Sequence, residues 1–212
     1  MLTIILTGGE SRRMGQDKAI LETNKGLLSL ALAERYSREL GPVAFSVDHK
    51  GRFPCGGFTE YEDAFPGRGP LNGLYSAFLY AREEYIFLTA TDMPNGDPAL
   101  VQFLLERMIN ANRDICTIRR NNGFLEPLFS IYRRNCYPIV KDCLEKKKLS
   151  LHELYDKNSV LAESEGSLPQ WNLDVVLYNI NTPQDYRRFM AGKEAGLHVG
   201  ENWRRYGASY AI

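Results

Sequence analysis

The sequence predicts an α/β fold in three layers: a mostly parallel sheet between helices, with an antiparallel excursion, in a single domain. Three observations carry this. Short apolar runs alternate with helix-period stretches through residues 2–110, the rhythm of strand–helix–strand units with right-handed crossovers. The rhythm then breaks, and two strand-like runs meet across Asn122-Gly123, a hairpin signal. The chain has 212 residues, 44% of them hydrophobic, which is enough for one ordinary core, and it shows no internal repeat or clear linker.

The elements follow in order. Leu2–Leu6 is nearly all apolar, as in a parallel strand buried on both faces. A helix is expected over Leu27–Leu40, where Leu28, Ala31, Leu32 and Tyr36 recur at helical spacing before Gly41-Pro42 stops it. Val43–Val47 is the second strand, and a short strand is expected at Phe58–Tyr61 within a Gly-rich stretch. Pro70 suits the first turn of a helix that continues over Leu71–Glu84. Tyr85–Ala90 is the third clear strand. Pro98 opens the next helix, with Leu100, Phe103, Leu104 and Met108 on one face.

Asp114–Ile118 and Phe124–Tyr132 form the antiparallel pair, and helical stretches follow at about 134–147 and 150–157. Val175–Tyr178 reads as a last strand, "NINTP" as a turn, and Pro183–Ala191 as a helix. The remaining residues fit no element well. The expected organisation is therefore one domain over 1–191 and a C-terminal extension over 192–212, which carries the aromatic–basic cluster Trp203, Arg204, Arg205, Tyr206 and Tyr210.

Charge is balanced, 26 basic residues against 26 acidic, so nothing overall draws the chain to nucleic acid or an anionic membrane. No apolar run approaches the ~18 residues of a membrane span, and the first residues lack a secretory signal pattern. Cys55, Cys116, Cys136 and Cys143 form no CxxC, and no histidine lies at zinc-finger spacing. Reduced thiols in a cytoplasmic protein are expected. His49, His152 and His198 are scattered, with no Ser/His/Asp set around them.

The densest chemistry lies in "ILTGGESRRMGQDKAIL", Ile5 to Leu21. Gly8 and Gly9 lack a Cβ, so their N–H groups can approach an anion closely. Arg13 adds a planar fork of donors and Lys18 a compact point charge. That combination suits a polyphosphate. The spacing fails the Walker A pattern, because five residues separate Gly9 from Gly15 and Gln16-Asp17 follows; it also fails G-x-G-x-x-G, because Gly8 and Gly9 are adjacent. A kinase or dehydrogenase reading loses its support there. The bland alternative for a Gly-Gly pair alone is a tight turn with solvated charges.

The string L-T-G-G-x-S-R-R-M-G-x-D-K resembles the signature loop of the nucleotidyltransferase superfamily, and its Asp-Lys ending resembles the molybdenum cofactor guanylyltransferases, the MobA family. Four later segments are similar to that family, in its order: "EDAFPGRGPLNG", "TDMP", "FLEPLFSIYRR" and "NINTPQD". The likeness runs from Leu2 to about Met190, and the tail lies outside it. Two departures are visible. Thr7 stands where the family usually has Ala, and Asn24-Lys25-Gly26-Leu27 displaces by one a second lysine of the family.

The resemblance implies a Rossmann-like sheet of the GT-A type. It also implies an enzyme that transfers GMP from GTP to the molybdopterin cofactor and releases pyrophosphate. Backbone groups at Leu6, Thr7, Gly8 and Gly9 would place the nucleotide, with Lys18, Ser46, Asp63 and Gly73 around it. Arg13, Lys18 and Asp92 would be catalytic. Asp92 would hold Mg2+, with Asn181 as a second oxygen donor, and Glu126, Pro127 and Asn179 would line the acceptor side. Mg2+ is the implied cofactor, and GTP, molybdopterin and proteins that handle molybdopterin or mature molybdoenzymes are the implied partners.

Each of these residues also has an ordinary structural reading: Asp92 and Asp63 as caps, Asn181 in a Thr-Pro turn, Pro127 at a sheet edge. Two other functions stay open, a cytidylyl or sugar-phosphate transferase on the same loop and a non-catalytic nucleotide or cofactor carrier.

Overall fold

The computed structural model describes residues 1–7, 20–23, 26–52, 54–65 and 67–194. Its organising strand is β1 (Leu2–Leu6), in which every residue is buried. Such a strand needs neighbours on both sides and cover on both faces. A two-residue hairpin, β2 (Glu22–Thr23) with β3 (Gly26–Leu27), leads into α1 (Leu28–Leu40). The chain then returns as β4 (Val43–Val47), parallel to β1, and β5 (Thr59–Glu62), parallel to β4. Helix α2 (Gly69–Tyr80), with its proline in the first turn, crosses to the other side of β1, where β6 (Tyr85–Ala90) pairs in parallel with it.

Helix α3 (Pro98–Asn110) is capped by Asp97, whose carboxylate accepts the Ala99 N–H at 2.8 Å. Strands β7 (Ile115–Arg119) and β8 (Ser130–Arg133) form the antiparallel excursion, and β8 inserts between β6 and β7. Helix α4 (Tyr137–Glu145), edge strand β9 (Val160–Ser164), the single turn α5 (Leu173–Val176) and α6 (Pro183–Glu194) complete the described chain. Among the described residues the main sheet has seven strands in the order β5-β4-β1-β6-β8-β7-β9.

Strand alternation sends side chains to two cores. Ile5, Phe45, Phe87 and Ile131 pack under α1 and α3 with Tyr36, Leu100 and Leu104. Ile4, Leu6, Ile86, Leu88 and Tyr132 pack under α2 and α4 with Leu74, Val140 and Leu144. Each such side chain contributes about 1.5–3 kcal/mol when fully buried, so the sheet is clamped from both faces.

The α/β class and the mostly parallel sheet agree with the sequence expectation, but four local expectations change. Val175–Tyr178 is not a strand. Residues 173–176 form a helical turn that buries Leu173, Val176 and Leu177 against the α1/α3 core. The sheet's edge strand beside β7 is β9, in a stretch to which the sequence reading assigned no element. The expected strand over Phe124–Tyr132 shrinks to β8, with a single bridge between Arg119 and Leu125 ahead of it. The expected helix over 150–157 is a short 3-10 turn at Leu151–Leu154.

Topology fixes where a ligand belongs. From β1 the chain builds outward through β4 and β5, then jumps back to place β6 on the opposite flank. This reversal leaves a crevice at the carboxyl ends of β1 and β6. Leu6 pairs with Ala90, and the Thr91 N–H donates to the Leu6 carbonyl at 3.1 Å, so both strands end level. Because β8 is antiparallel to β6, with Leu88 opposite Ser130, the residues before Ser130 emerge at the same edge.

Candidate active site

At the β1/β4 end, Thr7 follows β1 directly and is buried. Its N–H and hydroxyl both donate to the Ser46 carbonyl, at 3.1 and 2.7 Å. This ties the start of the glycine loop to β4. Ser46 in turn donates from Oγ to the Asp63 carboxylate at 3.0 Å, and the Asp63 N–H donates to the Val47 carbonyl at 2.8 Å. Burial pushes the Asp63 carboxyl up, and the Ser46 hydrogen bond and the nearby Asn72 amide pull it only part of the way back.

Helix α2 reads the loop after Asp63 through two polar residues one turn apart. Asn72 Oδ1 accepts the Phe65 N–H and Ser76 Oγ accepts the Ala64 N–H, both at 3.0 Å. Asn72 is fully buried, and its Nδ2 reaches toward the Asp63 carboxyl without closing a full hydrogen bond. Gly73 lies between them. A Cβ there would fall 2.3 Å from Leu6 Cδ2 and 2.8 Å from Ser46 Oγ. Helix, β1 end and β4 end can therefore meet only over a glycine.

Asp92 stands two residues past the end of β6, between buried Thr91 and Met93. It does not cap α3, since Asp97 does. Its carbonyl accepts the Ile180 N–H at 2.8 Å, which brings the turn containing Asn179 and Asn181 against it. That turn is organised by Asp185, whose Oδ2 accepts from the Asn181 N–H at 3.1 Å, the Thr182 N–H at 2.9 Å and the Thr182 hydroxyl at 2.8 Å. Asn179 is partly buried and donates from Nδ2 to the Leu177 carbonyl at 2.9 Å. Behind Asp92, Arg35 donates to the carbonyls of Pro94 at 2.7 Å and Gly96 at 3.0 Å, so α1 fixes the loop.

Glu126 and Pro127 lie at the same sheet edge, two strands further along. The Glu126 carbonyl accepts from Ser130 Oγ at 2.6 Å and Thr117 Oγ1 at 3.2 Å, and the Pro127 carbonyl accepts from Tyr132 OH at 2.9 Å. Burial pushes the Glu126 carboxyl up, and Arg120, 3.8 Å away, offsets part of that.

The structure thus brings Thr7, Ser46, Asp63 and Gly73 into one group and sets Asp92 against the 179–181 turn. It puts Glu126 and Pro127 apart from both along the edge. Gly8, Gly9, Arg13 and Lys18 lie outside the described residues, as do Lys25 and the aromatic–basic cluster of the tail. Sequence reasoning passed over Asn72 and Arg120, and it matched Asp185 within "NINTPQD" without giving it a role. Asn72 left a signal: with Ser76 it forms a polar pair four residues apart in an otherwise apolar helix.

A crevice at the switch point of the sheet, with Asp92 against the 179–181 turn on one side and Gly73 packed over Leu6 and Ser46 on the other, fits the nucleotidyltransferase class. The sequence profile of the family described as "MobA-like NTP transferase domain" matches residues 3–164, and the chain belongs to that family. A probable molybdenum cofactor guanylyltransferase from Carboxydothermus hydrogenoformans is 34% identical over 191 residues, covering 88% of this chain and 93% of the relative. One from Bacillus subtilis is 30% identical, covering 87% and 92%. Among solved structures, the molybdopterin-guanine dinucleotide biosynthesis protein A of Archaeoglobus fulgidus superimposes with a TM-score of 0.79 at 20% identity, over 92% of this chain and all 100% of that one. At that identity the likeness shows the fold.

Proposed function

We propose that this nucleotidyltransferase transfers GMP from GTP to the terminal phosphate of molybdopterin and releases pyrophosphate. The observation that carries the reading is the level ending of β1 and β6 in a chain of this family. It sets Asp92 and the 179–181 turn beside the strand that leads into Gly8-Gly9.

The reacting groups need alignment more than proton transfer. A phosphate oxygen is already anionic near neutral pH, so no general base is required. Holding two anions together and neutralising the leaving pyrophosphate are the harder tasks. In this reading Leu6 and Thr7 offer backbone groups to the nucleotide, held by the Thr7–Ser46 bonds. Ser46, Asp63 and Gly73 surround its base and ribose. Arg13 and Lys18 neutralise charge as the α–β bond breaks, with Gly8 and Gly9 donating N–H groups.

Asp92 and Asn181 carry hard oxygen donors on two segments that the Ile180 bond joins, a donor set that suits Mg2+. When bound, the ion supplies charge neutralisation at the α-phosphate. Glu126, Pro127 and Asn179 face the acceptor. The reading takes 1–191 as the transferase domain and 192–212 as an extension, and places the enzyme in the cytoplasm, where molybdopterin-handling proteins would supply the acceptor. All four cysteines are free, and no described helix is long and apolar enough to cross a membrane.

The test is pyrophosphate release by the purified chain with Mg2+, molybdopterin and either GTP or CTP. GTP should be the better donor, and Asp92→Asn should remove turnover while nucleotide still binds without metal. CTP outpacing GTP would overturn the guanylyl assignment. GTP binding without pyrophosphate release for any acceptor would leave a carrier.

A further inference from the structure

We propose that Arg35 is a positioning residue for the metal carboxylate: from helix α1 it holds the backbone of the 92–97 loop, so that Asp92 keeps its place beside the 179–181 turn. This rests on the reading above, in which Asp92 holds Mg2+.

The loop is held from two sides. On one side it runs alongside the chain that follows β9, in the opposite direction. The Ile180 N–H donates to the Asp92 carbonyl at 2.8 Å, Asn95 Nδ2 donates to the Val175 carbonyl at 3.2 Å, and Trp171 Nε1 donates to the Asp97 carboxylate at 3.1 Å. As the loop advances from 92 to 97, its partners step back from 180 to 171. On the other side stands Arg35. Its two terminal nitrogens donate to the Pro94 carbonyl at 2.7 Å and the Gly96 carbonyl at 3.0 Å. Residues 92, 95 and 97 are thus tied to the later chain, and residues 94 and 96 to α1.

A guanidinium suits this task. Its planar fork spans two acceptors in a fixed geometry, which an ammonium does not. Helix α1 does not need Arg35 in order to dock, because Leu32, Ala33 and Tyr36 are all fully buried in the core beneath it. What Arg35 adds is the grip on the loop. The next residue, Tyr36, works from below: a Cβ on Gly96 would fall 2.0 Å from the Tyr36 hydroxyl. Tyr36 limits how far the loop can sink toward the sheet, and Arg35 keeps it from lifting.

The pattern of exposure shows which group this leaves available. Thr91, Met93, Pro94, Asn95 and Gly96 are buried, and within that run Asp92 alone is partly open. The bonds named above use loop backbone and the side chains of Asn95 and Asp97, and none of them uses the Asp92 carboxylate. A carboxylate carried on backbone that is fixed from both sides has little freedom left to lose when it takes up an ion, which is what the outer supports of a metal ligand provide.

The experiment is calorimetric binding of GTP with and without Mg2+, no acceptor present, in wild type, Arg35→Ala, Arg35→Lys and Asp92→Asn. The ratio of the two affinities isolates what the ion adds. Arg35→Ala should cut this Mg2+-dependent gain about tenfold, the scale of losing a group that supports a metal ligand, with metal-free GTP affinity within about twofold of wild type. Arg35→Lys, whose ammonium lacks the fork, should recover part of the gain. Guanidinium ion added to Arg35→Ala, far below denaturing concentration, should also recover part of it. A gain unchanged in Arg35→Ala, or metal-free GTP affinity falling in step with it, overturns the positioning role while Asp92→Asn still removes the gain. A gain that survives Asp92→Asn overturns the metal reading and the proposal together. Should Arg35→Ala fold poorly, Arg35→Lys carries the test through its urea midpoint. A lowered gain at a wild-type midpoint supports positioning, and a lowered midpoint with the gain intact overturns it.

Discussion

The Asp92 carbonyl accepts the Ile180 N–H at 2.8 Å, and this one bond joins the end of β6 to the turn before α6. Two segments almost ninety positions apart are thereby held side by side. The turn owes its shape to Asp185, which gathers the Asn181 and Thr182 N–H groups and the Thr182 hydroxyl on one oxygen. Asp185→Ala releases all three while leaving Asp92 untouched. Loss of an outer support of this kind commonly lowers metal affinity tenfold or more. The Mg2+ concentration for half-maximal pyrophosphate release should rise by about that factor, with KM for molybdopterin unchanged. An unaltered Mg2+ requirement would remove Asn181 from the metal site.

If Asp63 binds nucleotide as proposed, its carboxylate sets stability against function. Burial pushes its carboxyl above the ordinary carboxylate range, and Ser46 and Asn72 offset only part of this. A carboxylate whose folded pKa is raised destabilises the native state when ionised, and the penalty is relieved as pH falls through that folded value. Asp63→Asn should therefore melt no lower than wild type at pH 7 without nucleotide, with its advantage shrinking toward pH 4. The same variant should bind GTP more weakly in calorimetry. A clear drop in melting temperature at pH 7 would show that the ionised carboxylate stabilises the free enzyme, against this account.

Asp114 behaves the opposite way. Burial pushes its carboxyl up, but hydrogen bonds from the Ser159 hydroxyl and N–H, at 2.6 and 3.0 Å, and from Asn135 outweigh this and lower it. A lowered folded pKa gives stability that is present above the unfolded value of about 3.9. That stability is lost as pH falls through the folded value. These bonds hold the start of β7 to the start of β9. Asp114→Ala should lower the urea midpoint at pH 7, with the gap to wild type closing below about pH 3. A gap that stays constant with pH would place the effect in packing instead.

Much of this architecture was legible because β1, β4, β6 and the helices between them carry clean periods. Their apolar residues are buried where the pattern puts them. Val175–Tyr178 misled because a β-branched and aromatic run favours a strand locally. Here Leu173, Val176 and Leu177 must all reach the α1/α3 core, and a helical turn achieves that. Strand β9 escaped notice because, among the described residues, it pairs only with β7 and three of its five residues are half-buried, so "VLAES" has no strong alternation. In the site, Asp92 was readable from its place after a strand. Asn72 left only its spacing from Ser76, and that spacing does not encode how α2 is rotated over β4, on which its contacts depend. The Asp92–Ile180 bond is tertiary in the same sense.

Gly73 offers the sharpest test of the proposed nucleotide site. A methyl group there would meet the Leu6 side chain at 2.3 Å and the Ser46 hydroxyl at 2.8 Å, so either the helix lifts or both residues shift. Overpacking of this kind costs about 1–3 kcal/mol. Both neighbours belong to the cradle, since Leu6 precedes Thr7 and Ser46 holds Asp63. Gly73→Ala should lower stability by that amount and weaken GTP binding as well. Gly192→Ala in α6 is the matched control, because a Cβ there meets nothing within 4 Å. It should stabilise by about 0.4–1 kcal/mol through the unfolded chain, leaving GTP binding as it was. Urea denaturation and GTP titration of the two variants side by side would separate the effects. Equal GTP affinity in Gly73→Ala and wild type would mean that the α2 contact supports the fold without shaping the nucleotide site.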